Sequence, residues 1–155
     1  MKKLTRWSLL LVGLSALLLA TAACVPLTTP TPAPSNSITG IVWQWTSVTN
    51  QTTKETTTVP NPESYTITFH VDDTLTGKAD CNSFSGAYSQ QNGFTITLGA
   101  TTMAFCGEAS LDQQYLQLLG SVAAGGPDGA GNLALETAGG EQRMLFVNGG
   151  PAPKQ

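Results

Sequence analysis

The side chains that could carry covalent or metal chemistry are few: Cys24, Cys81, Cys106 and the single histidine, His70. A cysteine nucleophile needs a base within hydrogen-bond reach, so His70 is the residue to place. It lies in Tyr65-Thr66-Ile67-Thr68-Phe69-His70-Val71, where large apolar residues alternate with polar ones. That period of two predicts a strand with one buried face. His70 then faces away from the core and reads as an exposed strand residue, not as half of a Cys–His pair. One histidine and two cysteines do not supply a tetrahedral metal set. Asp72-Asp73 and Asp128-Gly129 read as turns, because neither continues into a calcium loop with its later Glu. Ser83, Ser85 and Ser89 lack the strand–turn–helix setting of a nucleophile elbow. The expectation is a chain with no catalytic residue, no metal site and no cofactor.

Cys24 belongs to a different pattern. Lys2, Lys3 and Arg6 make a basic start, Trp7 to Ala20 is an uncharged and mostly apolar run, and Thr21-Ala22-Ala23 precede the cysteine. This is the layout of an export signal over residues 1–23. The apolar run is shorter than the roughly 20 residues of a spanning helix. A cysteine directly after small residues resembles a bacterial lipobox, in which the thiol is acylated and becomes the N-terminus. Thr21 stands where Leu is usual. Ala20-Thr21-Ala22 also fits an ordinary signal peptidase, which would give a soluble secreted chain. Acylation is the preferred reading, since a thiol beside a mature N-terminus has no other evident use and each buried methylene contributes roughly 0.8 kcal/mol of anchoring. Residues 24–37, with Pro26, Pro30, Pro32 and Pro34, read as an extended linker that could span about 40 Å. The Gly/Pro-rich segment 148–155 reads as a frayed tail.

Residues 38–147 remain for one domain with a modest core. The chain carries 7 basic and 10 acidic residues, and three of the basic ones lie in the signal. No basic cluster follows it, which argues against a nucleic-acid partner. Trp43 and Trp45 share a face of a first strand, 38–48. A Thr-rich loop, 49–63, holds Pro60 and Pro62. After the strand containing Ile67, Leu75, Gly77, Ala79 and Cys81 share a face across a hairpin. Phe84, Gly86 and Tyr88 continue the alternation, then Phe94, Ile96 and Leu98, with a short strand in 101–105. Leu111, Tyr115, Leu118, Leu119 and Val122 fall at helical spacing and predict a core-facing helix over 111–122. Ser110 and Gln113 are placed for a capping box. A Gly-rich loop, 125–131, leads to strands 133–137 and 142–147. The fold class expected is α+β: a mainly antiparallel curled sheet or partly open β-barrel of about seven or eight short strands, with one helix.

Two segments carry a family resemblance. One is Gly77-Lys78-Ala79-Asp80-Cys81-Asn82-Ser83-Phe84-Ser85-Gly86-Ala87-Tyr88. The other is Thr101-Thr102-Met103-Ala104-Phe105-Cys106, followed by the helix. Together they resemble the META domain family, which includes the HslJ-like bacterial heat-shock lipoproteins. Trp43 and Phe69 are supporting matches. Asp80 stands where a small residue is usual, and Phe105 is an extra residue before Cys106. The resemblance implies a small exported or membrane-associated protein linked to stress tolerance, antibiotic resistance or virulence. It carries over no catalytic or ligand residue.

Cys81 and Cys106 are the only cysteines of the domain. In an oxidising compartment such a pair forms a disulfide; in a reducing one they are two buried thiols. Asn82 reads as a turn residue bonding its own backbone, and Gly86 as a bulge or bend. Phe84, Tyr88 and Met103 read as structural members of the two motifs. Two functions from different classes follow. The first is a monomeric domain, lipid-anchored in the envelope through Cys24, that contacts an envelope protein or lipid without catalysis. The second is a carrier holding a small apolar ligand in a barrel cavity. A filled interior favours the first.

Overall fold

The computed structural model describes residues 37–153. The expected signal segment, Cys24 and nearly all of the expected linker lie outside the described residues. The architecture is α+β: nine antiparallel strands in one curled sheet, and one α-helix.

Strand β1 (Ile41–Asn50) is the sheet's middle. On one side, β3 (Tyr65–Phe69), β4 (Thr74–Ala79), β5 (Asn82–Ser89) and β6 (Thr95–Thr101) form a meander. On the other, β9 (Gln142–Pro151), β8 (Leu133–Thr137) and β7 (Val122–Pro127) form a second. The order is β6-β5-β4-β3-β1-β9-β8-β7, with β2 (Thr56–Thr58) paired to the far part of β1. The chain therefore leaves one sheet edge at β6 and must reach the opposite edge at β7. Helix α1 (Asp112–Gly120) makes that crossing.

Bulges bend the sheet into a half-barrel. In β1, Trp45 opposes Phe146 while Ser47 opposes Leu145, so Thr46 is extra. Its hydroxyl donates to the Leu145 carbonyl (3.0 Å). The slip moves the buried face from Trp43 and Trp45 to Val48. A second bulge, in β6, lies beside Gly86, as the sequence predicts; a Cβ on Gly86 would collide with the Thr97 carbonyl oxygen. A third makes Ala123 the extra residue of β7. Its carbonyl accepts the Phe94 N–H (3.1 Å), drawing the two sheet edges together at one end.

The interior is filled. Trp45, Tyr115, Phe69, Phe94, Phe146, Ile67, Leu75, Leu119, Leu133, Leu135 and Met144 are fully buried. The Tyr115 ring stacks on Trp45 (5.1 Å) and meets Tyr65 edge-on (5.8 Å). A second cluster joins Phe69 to Tyr88 (4.8 Å) and Phe94 (5.6 Å). Such pairs add about 0.5–1.5 kcal/mol each beyond their area.

Four boundaries differ from the sequence reading. Strand β9 runs to Pro151, and the Ala152 N–H donates to the Gly40 carbonyl (2.9 Å), so 148–152 belongs to the sheet instead of a frayed tail. β2 lies within the segment read as loop, ending before Pro60. The helix stops at Gly120, and the strand after it takes up half of the supposed Gly-rich loop. Gly125 is there because a Cβ would run into Leu135 and the Ala134 carbonyl (2.9 Å). Residues 102–105 form no strand.

The Tyr115 hydroxyl is buried and meets no hydrogen-bond partner among the described residues. Burial also holds its pKa well above the ordinary tyrosine value. Tyr115→Phe removes a desolvated donor and keeps the ring, so it should be neutral or stabilise by up to about 2 kcal/mol. Denaturant unfolding checks this; a loss above about 1 kcal/mol would reveal a bound water at that oxygen.

Candidate functional site

The two recognisable segments meet at one end of the sheet. Cys81 and Cys106 form a disulfide across 25 residues, with Cα atoms 5.6 Å apart. The extra residue Phe105 does not prevent it. Asp80 adopts a left-handed conformation (φ 59°), which accounts for the small residue usual there and is one an aspartate tolerates.

Asn82 is the hub. It is 2% exposed and opens β5. Its Oδ1 accepts the Ala104 N–H (2.7 Å) and the Thr102 hydroxyl (3.1 Å). Its Nδ2 donates to the Ala104 carbonyl (3.0 Å) and to Asp112 Oδ2 (3.0 Å). Two lone pairs and two N–H groups are thereby all used; the Cys106 Sγ at 3.3 Å is a further close contact. The sequence reading gave Asn82 a turn role on its own backbone. The structure corrects this: its side chain bonds three residues on other segments, and its backbone is ordinary strand.

The surroundings tie the start of α1 to the same point. Thr102 Oγ1 accepts the Ser83 N–H (2.9 Å), and the Tyr65 hydroxyl accepts the Leu111 N–H (2.9 Å). The expected capping box is absent. Ser110 Oγ accepts the Asp112 N–H (3.2 Å), and Asp112 Oδ1 accepts the Gln113 N–H (2.7 Å). Asp112 thus serves both the first helical turn, where a negative charge is favoured, and Asn82.

The other motif residues divide. Phe84 and Tyr88 are buried, with the Phe84 ring over Gly77, where a Cβ has no room. The Tyr88 hydroxyl donates to the His70 carbonyl (2.9 Å). Burial, with Asp73 and Asp72 nearby, raises its pKa. Met103, the remaining motif member, is 85% exposed.

The residues weighed for chemistry lie apart or serve turns. His70 follows β3 at the end away from the disulfide, is half-buried, and places Nε2 3.0 Å from Thr76 Oγ1. Asp72 Oδ1 accepts from the Thr74 hydroxyl (2.6 Å) and N–H (3.2 Å), which holds its pKa below the usual carboxylate value. Asp128 is lowered in the same way, first by the Asn132 side chain and then by the Ala130 N–H. Among the described residues no three His, Cys, Asp or Glu side chains are grouped to hold a metal, and no helix is long and apolar enough to cross a membrane. Surface grooves exist. One of about 500 Å³ is lined by Gln114, Gln117, Thr137 and Gln142, another of about 430 Å³ by Phe105, Glu108 and Asp112.

A curled antiparallel sheet crossed by one helix, with a disulfide and a buried amide fastening the crossover, defines a class of small α+β half-barrels. The META domain family model matches residues 36–149, and the chain belongs to that family. Two solved structures share the fold. An NMR structure of a protein from Burkholderia xenovorans is 19% identical with TM-score 0.57, covering 72% of this chain and 83% of its own. A crystal structure of a DUF4847 family protein from Bacteroides vulgatus is 13% identical with TM-score 0.55, covering 71% and 93%. No curated protein matches the sequence.

Two measurements probe the site. A disulfide closing a loop of this length stabilises by roughly 3.5 kcal/mol in the chain-entropy view, so reductant should lower the melting temperature by on the order of 10 °C. An unchanged melting temperature with two titratable thiols would contradict this. Asn82→Asp keeps the shape but turns a carboxylate oxygen toward Asp112 and the Ala104 carbonyl. It should cost on the order of 3 kcal/mol at neutral pH. The new carboxyl, beside a like charge, has a raised folded pKa, so this loss is complete above that value and shrinks as pH falls through it. Unfolding at pH 7 and 4.5 would show the relief; equal penalties at both would count against the charge pairing.

Proposed function

We propose that this chain is exported, anchored by acylation of Cys24, and presents its META domain as a non-enzymatic binding or structural module in the cell envelope. The observation that carries the reading is the use already made of the motif side chains. Asn82, Thr102 and Asp112 are committed to one another, and the two sulfurs are joined. With the interior occupied by the core residues, recognition falls to the outer surface, which disfavours a ligand carried inside. Trp43, Phe69, Phe84 and Ile96, whose burial would leave a carrier no room, are all buried. The basic start, short apolar run and Cys24 support export and anchoring. A role in stress or antibiotic tolerance follows from the family alone.

The anchor is tested on the mature N-terminus. Labelling with an alkyne fatty acid should mark the wild-type chain and fail on Cys24→Ser, and the variant should move from the detergent phase to the aqueous phase on Triton X-114 partition. An unmodified N-terminus at Ala23 or Val25 would end the lipoprotein reading and leave a secreted domain.

A further inference from the structure

Two large apolar side chains stand in water beside the disulfide: Met103 at 85% exposure and Phe105 at 84%. They are not free to fold back, because the residues between and around them are fastened. Thr102 bonds Asn82 and Ser83, Ala104 bonds Asn82 through both its N–H and its carbonyl, and Cys106 is joined covalently to Cys81. Thr102 and Ala104, themselves exposed, and Cys106 are held by these bonds, and Met103 and Phe105 between them stand in solvent. Pre-ordered backbone loses less entropy on docking, and aromatic and Met side chains are enriched where partners meet.

Charge narrows the occupant. Asp80, whose N–H donates to the Ser64 carbonyl (2.8 Å), Glu63, Glu108 and Asp112 lie at this end of the domain; Lys78 is the basic residue near them. A second copy of this chain would oppose acid with acid, and an anionic bilayer would be repelled in the same way. The described chain enters at Ile38–Gly40, where Thr39 pairs with Phe69 and the Gly40 N–H donates to Phe69. Phe69 is at the far end of the five-residue β3 from Tyr65, four strand steps or about 13 Å away. We infer that Met103 and Phe105 form a docking finger for a protein partner offering an apolar groove rimmed by Lys and Arg side chains.

The test uses the full chain in intact cells, with a photoreactive benzophenone amino acid at position 103 or 105. Position 71 is the control, since Val71 is 89% exposed at the other end of the sheet. Irradiation should give protein adducts from 103 and 105 well above those from 71. The captured segments should carry Lys or Arg beside apolar residues. Glu63→Lys with Glu108→Lys should lower adduct yield several-fold with an unchanged melting temperature. Adducts to lipid, adducts to another copy of this chain, yields equal to those at 71, or yields indifferent to the charge reversal would each overturn the finger. An unacylated chain that still gives the charge-dependent adduct would remove the anchor and leave the finger; an acylated chain that gives none would do the reverse.

Discussion

A buried primary amide is costly unless all of its hydrogen-bonding capacity is met. Asn82 meets it with groups drawn from Thr102, Ala104 and Asp112, up to 30 residues downstream. Those groups sit where the chain leaves the last strand of one meander and begins the helix leading to the other. Beyond the Thr102 N–H, which donates to the Ser83 carbonyl, no strand pairing holds that stretch among the described residues, so a side chain that bonds sideways to it, seconded by a covalent link one residue away, performs the ladder's task. The direction of α1 depends on this, because its first turn hangs from Asn82 through Asp112 and from Tyr65 through the Leu111 N–H.

The rest of the fold follows from a helix placed there. Tyr115 and Leu119 enter the concave face, and the large rings of Trp45, Tyr65, Phe84 and Phe146 gather around Tyr115. The sheet curves to cover them, using extra residues at Thr46 and Ala123 and a bulge beside Gly86. The Tyr115 hydroxyl at the centre, without a hydrogen-bond partner among the described residues, is consistent with a position chosen for its ring. Such a core transmits small changes at the crossover, since dense packing cannot yield smoothly.

What could be read from the sequence was whatever repeats with a short period. The alternation in 65–71 gave β3, and the helical stripe gave the face of α1. The pairing of Cys81 with Cys106 could be argued from their isolation, and the need for glycine at 86 from its place between two aromatics. Signals depending on distant neighbours were not legible. Gly125 looks like loop until Leu135 lies across it. Segment 148–151 looks like a frayed end until β1 pairs with it. Asn82 looks like a turn residue because nothing in Asn82-Ser83-Phe84 announces that its amide faces Ala104. Met103 was legible as a motif member and its exposure was not, since nothing in residues 101–106 announces that the neighbours on either side are bonded to Asn82 and Cys81.

That last mismatch bears on where function can reside. In a domain this small, polar side chains that reach inward are drawn into holding the fold, as Asn82, Thr102 and Asp112 are. What remains for recognition is surface whose exposure has no structural return. Hydrophobic side chains normally escape water by local collapse of a loop, at small entropic cost. Here the bonds that hold Ala104 and Cys106 oppose that collapse, so the fastening that stabilises the crossover also fixes Met103 and Phe105 in solvent. Stability and presentation are then one constraint: the loop cannot be loosened for the second purpose without losing the first.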